Sequence, residues 1–261
     1  MKTCTNKISF ILIISLCLFS FTTKATADKD KWMIEDTVKI QGENVLSIIN
    51  IFHQNLIYPY PKSWPINPIF RNQTSNHFIV EHIPKDQTLN TWKDMFTIQG
   101  FKDAVQANGM TAPKILNLLK QQLYLIAPEQ LYYKEIFTGD INGTPGSIVL
   151  MGIKNLPTTL IPELPKGVGE IGLYLALQGK QDMYVIHRSW KSSPYTNEQL
   201  PMTEIELNKW IELLKLISLS DIKVPKKSDL LENTGMRFFV SGEYAKAREN
   251  LTMAIELNPT K

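Results

Sequence analysis

Cysteine is the first thing this chain is short of. It has two in 261 residues, Cys4 and Cys17, and both fall within the first 27. Residues 1–27 read as an export leader. Lys2 and Lys7 open it, an apolar run of 14 residues from Ile8 to Phe21 follows, and Ala25, Thr26 and Ala27 form an A-x-A cleavage site. That run is the longest apolar stretch, and it falls short of the roughly 20 residues that span a bilayer. A chain cut after Ala27 therefore carries no thiol, which excludes disulfides, thiolate metal sites and cysteine nucleophiles.

An excess of one charge is missing as well. The full sequence carries 28 basic and 25 acidic residues, but Lys2, Lys7 and Lys24 leave with the leader and no acid does, so 25 face 25. Nucleic-acid binding rests on a basic footprint, and none remains. Histidine is scarce too, with only His53, His77, His82 and His187. His77 and His82 are an odd number of residues apart on an expected strand, so they point to opposite faces. His77 and Glu81 share a face but lack the third ligand that zinc normally takes. No G-x-S-x-G is present, so Ser189 beside His187 lacks the sharp turn of a serine hydrolase. These two are expected on an outward polar stripe of their strand, with Tyr184, Ile186 and Trp190 facing inward and Arg188 stacked on Trp190.

One glycine motif is literal. Gly167, Gly169 and Gly172 spell G-x-G-x-x-G, yet a dinucleotide site requires the motif to open a helix, and residues 173–177 continue as a strand. It reads as a turn entering a strand. Residues 143–147, GTPGS, lack the lysine and hydroxyl of a phosphate loop and read as a hairpin turn. No cofactor is expected.

The rest of the sequence describes an α+β domain over residues 28–220. Residues 45–52 suit a short helix or a strand. Residues 56–64, with prolines at 59 and 61, suit an extended segment at a sheet edge. A strand is expected at 77–83, and a helix capped by Thr88 that includes Trp92, Met95 and Phe96. A clearer helix starts at Thr111 and ends before Pro128. Two hairpins follow, 131–138 with 147–153 and 171–177 with 183–190, and consecutive hairpins imply antiparallel pairing. Thr203 and Glu206 then form a capping box for a long helix. The expected architecture is an antiparallel sheet covered by helices. The order of elements and the segment FIVEHIPKDQTLNTWKDM resemble small secreted bacterial domains similar in fold to the extrinsic oxygen-evolving subunits of photosystem II. No functional residue is carried over from that likeness.

Beyond a linker at 221–227, the last 34 residues, 228–261, show two helical patterns separated by Ser241 and Gly242. Leu231, Gly235 and Phe238 share one helix face, and Tyr244, Ala247, Leu251, Ala254 and Ile255 share another, with Pro259 as the stop. This segment resembles a tetratricopeptide repeat across the whole period, departing from it at Thr234. Such units normally stack in threes, so the resemblance implies an uncovered face. On the first helix that face carries Glu232, Met236, Phe239 and Val240, the expected partner-binding residues. The sequence thus points to a non-catalytic periplasmic or extracellular protein whose terminal hairpin contacts another protein or a second copy. Its alternative is a small-ligand carrier using a groove lined by Tyr58, Tyr60, Trp64 and Trp190.

Overall fold

A computed structural model describes residues 39–41, 44–65, 68–89, 91–156, 167–221 and 244–257. Its backbone is a seven-stranded antiparallel sheet. The strands are β4 (Phe70–Gln73), β5 (His77–His82), β6 (Asp94–Phe101), β7 (Leu131–Ile141), β8 (Thr144–Ile153), β9 (Gly169–Gln178) and β10 (Met183–Ser192). They lie in the order β4-β5-β6-β10-β9-β8-β7. Helices α1 (Ala104–Asn108) and α2 (Ala112–Ile126) fall between β6 and β7, and α3 (Glu204–Leu214) follows β10.

The central strands read as near-continuous apolar runs because both faces are covered. Val149, Met151 and Ile153 of β8 meet Ile115, Leu116, Leu119 and Leu123 of α2, while Ile148 and Leu150 turn to the opposite core. That second core is roofed by a small antiparallel sheet. Its strands are β1 (Lys39–Gln41), β2 (Asn44–Ile51), β3 (Gln54–Pro61) and β11 (Ser218–Asp221), in the order β1-β2-β3-β11. Leu207, Ile211 and Leu214 of α3 complete it. The molecule is α+β in three layers, with one face covered by a helix and the other by a second sheet and a helix.

Two expectations need correction here. The helix from Thr88 through Phe96 is absent, and residues 94–101 form β6 instead, paired with β5 and β10 along its length. With both sheet faces buried, Met95 and Phe96 sit on opposite sides and are both apolar, so their spacing imitates a helix. Likewise β3 is interior to its sheet rather than at an edge. The proline effect still operates locally, because β11 pairs only with Gln54 to Ile57 and ends before Pro59 and Pro61.

The hairpins form as expected. Asn142 and Gly143, with φ of 51° and 79°, make the tight turn between β7 and β8. Asn142 Nδ2 also donates to the Ile217 carbonyl at 3.0 Å, tying the hairpin tip to the end of α3. The Thr203–Glu206 capping box starts α3 in both directions. Gly152 is required by a close approach. A Cβ there would lie 2.1 Å from the Glu170 carbonyl oxygen and 2.6 Å from Ile171 Cα, both backbone atoms of β9. Gly152→Ala is expected to cost about 3 kcal/mol in urea unfolding, because backbone cannot give way as a flexible side chain would; an unchanged midpoint would contradict the close packing.

Residues 222–243 lie outside the described residues, and with them the first helix of the expected repeat. The second helix is present as α4 (Tyr244–Leu257). A tetratricopeptide-like hairpin is therefore not established; among the described residues this region shows the single helix α4.

Candidate functional site

The partner-binding residues expected from sequence, Glu232, Met236, Phe239 and Val240, fall within 222–243 and lie outside the described residues. What the structure places is α4. Its apolar stripe divides in two: Ala247 is buried at 3% exposure, while Tyr244 and Ile255 are each 65% exposed. These two are eleven residues apart, three helical turns, and so lie almost in line along the helix. Met253, 40% exposed, lies on the far side.

The motifs behave as turns and strands. Gly167 has φ of 77°, Gly169 opens β9 and Gly172 lies within it, so the motif runs into a strand and presents no helix N-terminus to a phosphate. The aromatic residues proposed to line a ligand groove are distributed otherwise. Tyr58, Tyr60 and Trp64 are buried in the core between the sheets, with Tyr58 stacked on Phe96.

Sequence separation hid a three-residue cluster. His53, Asp103 and Asp182 bring ligand atoms within 4.8 Å of one another, a spacing at which a metal ion could be held. The donors argue for another role. Asp182 is fully buried, and its Oδ1 accepts from the Asp103 amide at 2.8 Å. Its Oδ2 accepts from the His53 amide at 3.2 Å and faces His53 Nδ1 at 2.9 Å. The Tyr184 hydroxyl divides its proton between that oxygen and the Ile51 carbonyl. A cation would have to displace these N–H donors. The cluster is a clasp that fastens the β2–β3 turn to the large sheet.

Arg188 is stacked, as expected, but on a different ring. Its guanidinium carbon lies 3.1 Å from the Trp210 ring centroid, against 5.2 Å for Trp190 and 5.5 Å for Trp64. Nε donates to Asp94 Oδ1 at 2.7 Å and Nη2 to Asp94 Oδ2, a bidentate pair that fixes the plane. Arg188 thus joins α3 to the edge of the large-sheet core.

The polar residues of the opposite face correct the outward-stripe expectation. His187 and Ser189 are fully buried, because α2 and the cluster of Ile83, Leu89 and Trp92 lie over the face they occupy. Register sets Glu81, Thr97, His187 and Tyr174 side by side across β5, β6, β10 and β9. His187 stacks on Tyr174 with ring centroids 4.6 Å apart, and its Nδ1 meets Ser189 Oγ at 3.1 Å. Gly172 makes the room, since a Cβ there would come within 2.7 Å of both Tyr174 and Ser189. Nearby, Lys191 Nζ sits 3.9 Å over the Trp92 ring.

Two acids in this region are buried without full pairing. Among the described residues neither Glu81 oxygen has a hydrogen-bond partner, nor do Glu170 Oε2, Thr97 Oγ1 and His187 Nε2. Burial, and then the neighbouring Glu170, pushes Glu81 up to about 7, against the pull of Lys191. Burial likewise raises Glu170 to about 7, again opposed by Lys191. Burial alone drives His187 down to about 3. Acid, imidazole and hydroxyl are therefore gathered, as at many catalytic centres. All are closed to solvent, and Ser189 lies mid-strand with no turn to present its hydroxyl, so the arrangement offers a substrate no approach.

Comparison with known proteins adds outline only. No family model matches the sequence, and no curated protein does. The solved structure of cyanobacterial PsbP (CyanoP) from Synechocystis sp. PCC 6803 is similar with a TM-score of 0.39 at 8% identity, covering 63% of this chain and 86% of that one. A protein of unknown function, PA94 from Pseudomonas aeruginosa, has a TM-score of 0.30 at 10% identity, covering 65% of this chain and 94% of that one.

Proposed function

We propose that this is an exported, non-catalytic protein that acts by binding another protein or a second copy of itself through residues 228–261. The observation that carries the reading is Ile255, an aliphatic side chain 65% exposed on α4, with the Tyr244 ring aligned with it along the helix. A helix that buries Ala247 and leaves Ile255 in water is incomplete on that side. The export leader and the charge balance beyond it fit a protein working outside the cytoplasm and away from nucleic acid. No helix among the described residues is long and apolar enough to cross a membrane. Met236, Phe239 and Val240, with Glu232, extend the proposed surface onto the preceding segment.

The test uses the chain lacking its leader. Tyr244→Asp with Ile255→Asp should weaken self-association or partner capture at least tenfold, since covering each side chain is worth roughly 1.5–3 kcal/mol. The thermal midpoint should stay within about 2 °C, because surface substitutions change stability little. Phe239→Asp should act in the same direction. Sedimentation and pull-down profiles unchanged in both variants would refute the reading.

A further inference from the structure

The sequence contains two Asn-Gly pairs, Asn108 with Gly109 and Asn142 with Gly143. Glycine has no side chain to shield its amide nitrogen, which can close on the side-chain carbon of the asparagine before it. Both pairs are exposed, so water reaches both. Each glycine N–H already has an acceptor: Gly109 donates to the Val105 carbonyl at 3.0 Å, and Gly143 to Asp140 Oδ1 at 2.8 Å. The side chains differ. Asn108 has no hydrogen-bond partner for its side chain among the described residues, whereas Asn142 Nδ2 donates to two carbonyls, Lys215 at 2.5 Å and Ile217 at 3.0 Å. Lys215 is the C-cap of α3, and Ile217 is fully buried just before β11. The last carbonyls of a helix have no partner within it, and a buried carbonyl without a donor is costly. A side chain from the β7–β8 turn supplies both donors.

We infer that Asn142 is a guarded deamidation site, a position at which the chain modifies itself once the junction of α3 and β11 opens, with water as the only co-reactant. The Gly143 amide gives its proton to solvent base, its nitrogen bonds to Asn142 Cγ, and the Cγ–Nδ2 bond breaks to release ammonia. Water then opens the cyclic imide to aspartate or isoaspartate, and no atom is oxidised or reduced. In the folded chain, ring closure must break the bond to Asp140 and both bonds from Nδ2. The turn therefore holds the reaction shut. The product cannot take the place of the amide. Aspartate has no N–H for the Lys215 and Ile217 carbonyls, and its charge meets the negative end of the α3 dipole. Lys215, at that helix end, is already paired with Glu212 at 2.9 Å. Isoaspartate adds a backbone atom to a two-residue turn whose flanking pair is Ile141 with Thr144. Either product makes the opening one-way.

The leaderless chain is incubated near neutral pH, folded and in urea, and both positions are followed by peptide mapping that separates aspartate and isoaspartate from asparagine. In the folded chain position 142 should convert at least tenfold more slowly than position 108, because the side-chain bonds are what distinguish the two sites. In urea the two rates should come within about threefold of each other, since neither side chain is then held. Comparable rates in the folded chain, or a gap that persists in urea, would overturn the guard. Asn142→Asp should speed amide exchange across residues 217–221 at least tenfold, and Asn142→Gly, which accepts the positive φ and adds no charge, should speed it less. Unchanged exchange in β6 marks a variant as folded, and the glycine variant decides alone should aspartate prevent folding. Exchange across 217–221 unaltered in either folded variant would overturn the uncapping. The hairpin alone carries this inference, so failure of the C-terminal proposal leaves it standing.

Discussion

Replacing Glu81 and Glu170 together by Gln should stabilise the folded chain at pH 8 by about 5 kcal/mol more than at pH 4.5, by the usual 1.36 kcal/mol per pKa unit. Burial raises both carboxyls to about 7, well above the ordinary value of 4.5. In the window from 4.5 to 7 the folded state holds protons that the unfolded chain has released, so these two groups lower stability as pH rises. Two buried histidines act in the opposite sense. Burial lowers His82 to about 4 and His187 to about 3 from the ordinary value of 6.5. Between 4.5 and 6.5 the unfolded chain binds protons that these imidazoles refuse, and stability rises with pH. Two acids and two histidines therefore nearly cancel, and the unaltered protein should show a flat stability profile between pH 4.5 and 6.5. Removing the acids exposes the histidine slope. Burial lowers Lys191, the cation facing both carboxyls, against the pull of Glu170 and Glu81. Urea unfolding at four pH values checks the expectation, and parallel profiles for the two chains would contradict it.

The second large effect concerns the clasp. Asp182→Ala should cost about 3–4 kcal/mol, because it strands buried donors rather than removing a matched pair. The amides of His53 and Asp103 lose their acceptor. His53→Ala should cost less, since that side chain is 39% exposed and the backbone contact to Asp182 survives. Amide exchange should show the β2–β3 turn opening before the large sheet, which would mark Asp182 as the fastening between layers. Global unfolding of Asp182→Ala at the unaltered denaturant midpoint would show that the small sheet holds by apolar contact alone.

How much of this was legible beforehand follows from how far apart the causes lie. The two central hairpins, the helix from residue 112 and the capping box are set within ten residues or so, and sequence reading reaches them. The small sheet was not foreseen, because β11 returns from residue 218 to pair with residues 54–57 and no local pattern announces it. The same separation hid the cluster of His53, Asp103 and Asp182. The misread helix at 88–101 and the misread stripe at His187 and Ser189 share one cause. A strand covered on both faces loses the alternation by which inward and outward positions are told apart. Of the C-terminal surface, the helix carrying Tyr244 and Ile255 was legible, and its stripe divided into covered and uncovered parts only when exposure was seen.

The claim that the protein works by association is tested most directly by a photo-crosslinking residue placed at position 255, with position 125 as control. Leu125 is 81% exposed on α2 and belongs to no proposed surface. Illumination of the exported full chain should give a discrete intermolecular adduct from 255, to a second copy or to one other protein, and none from 125. No adduct from 255, or the same adducts from both positions, would contradict the account.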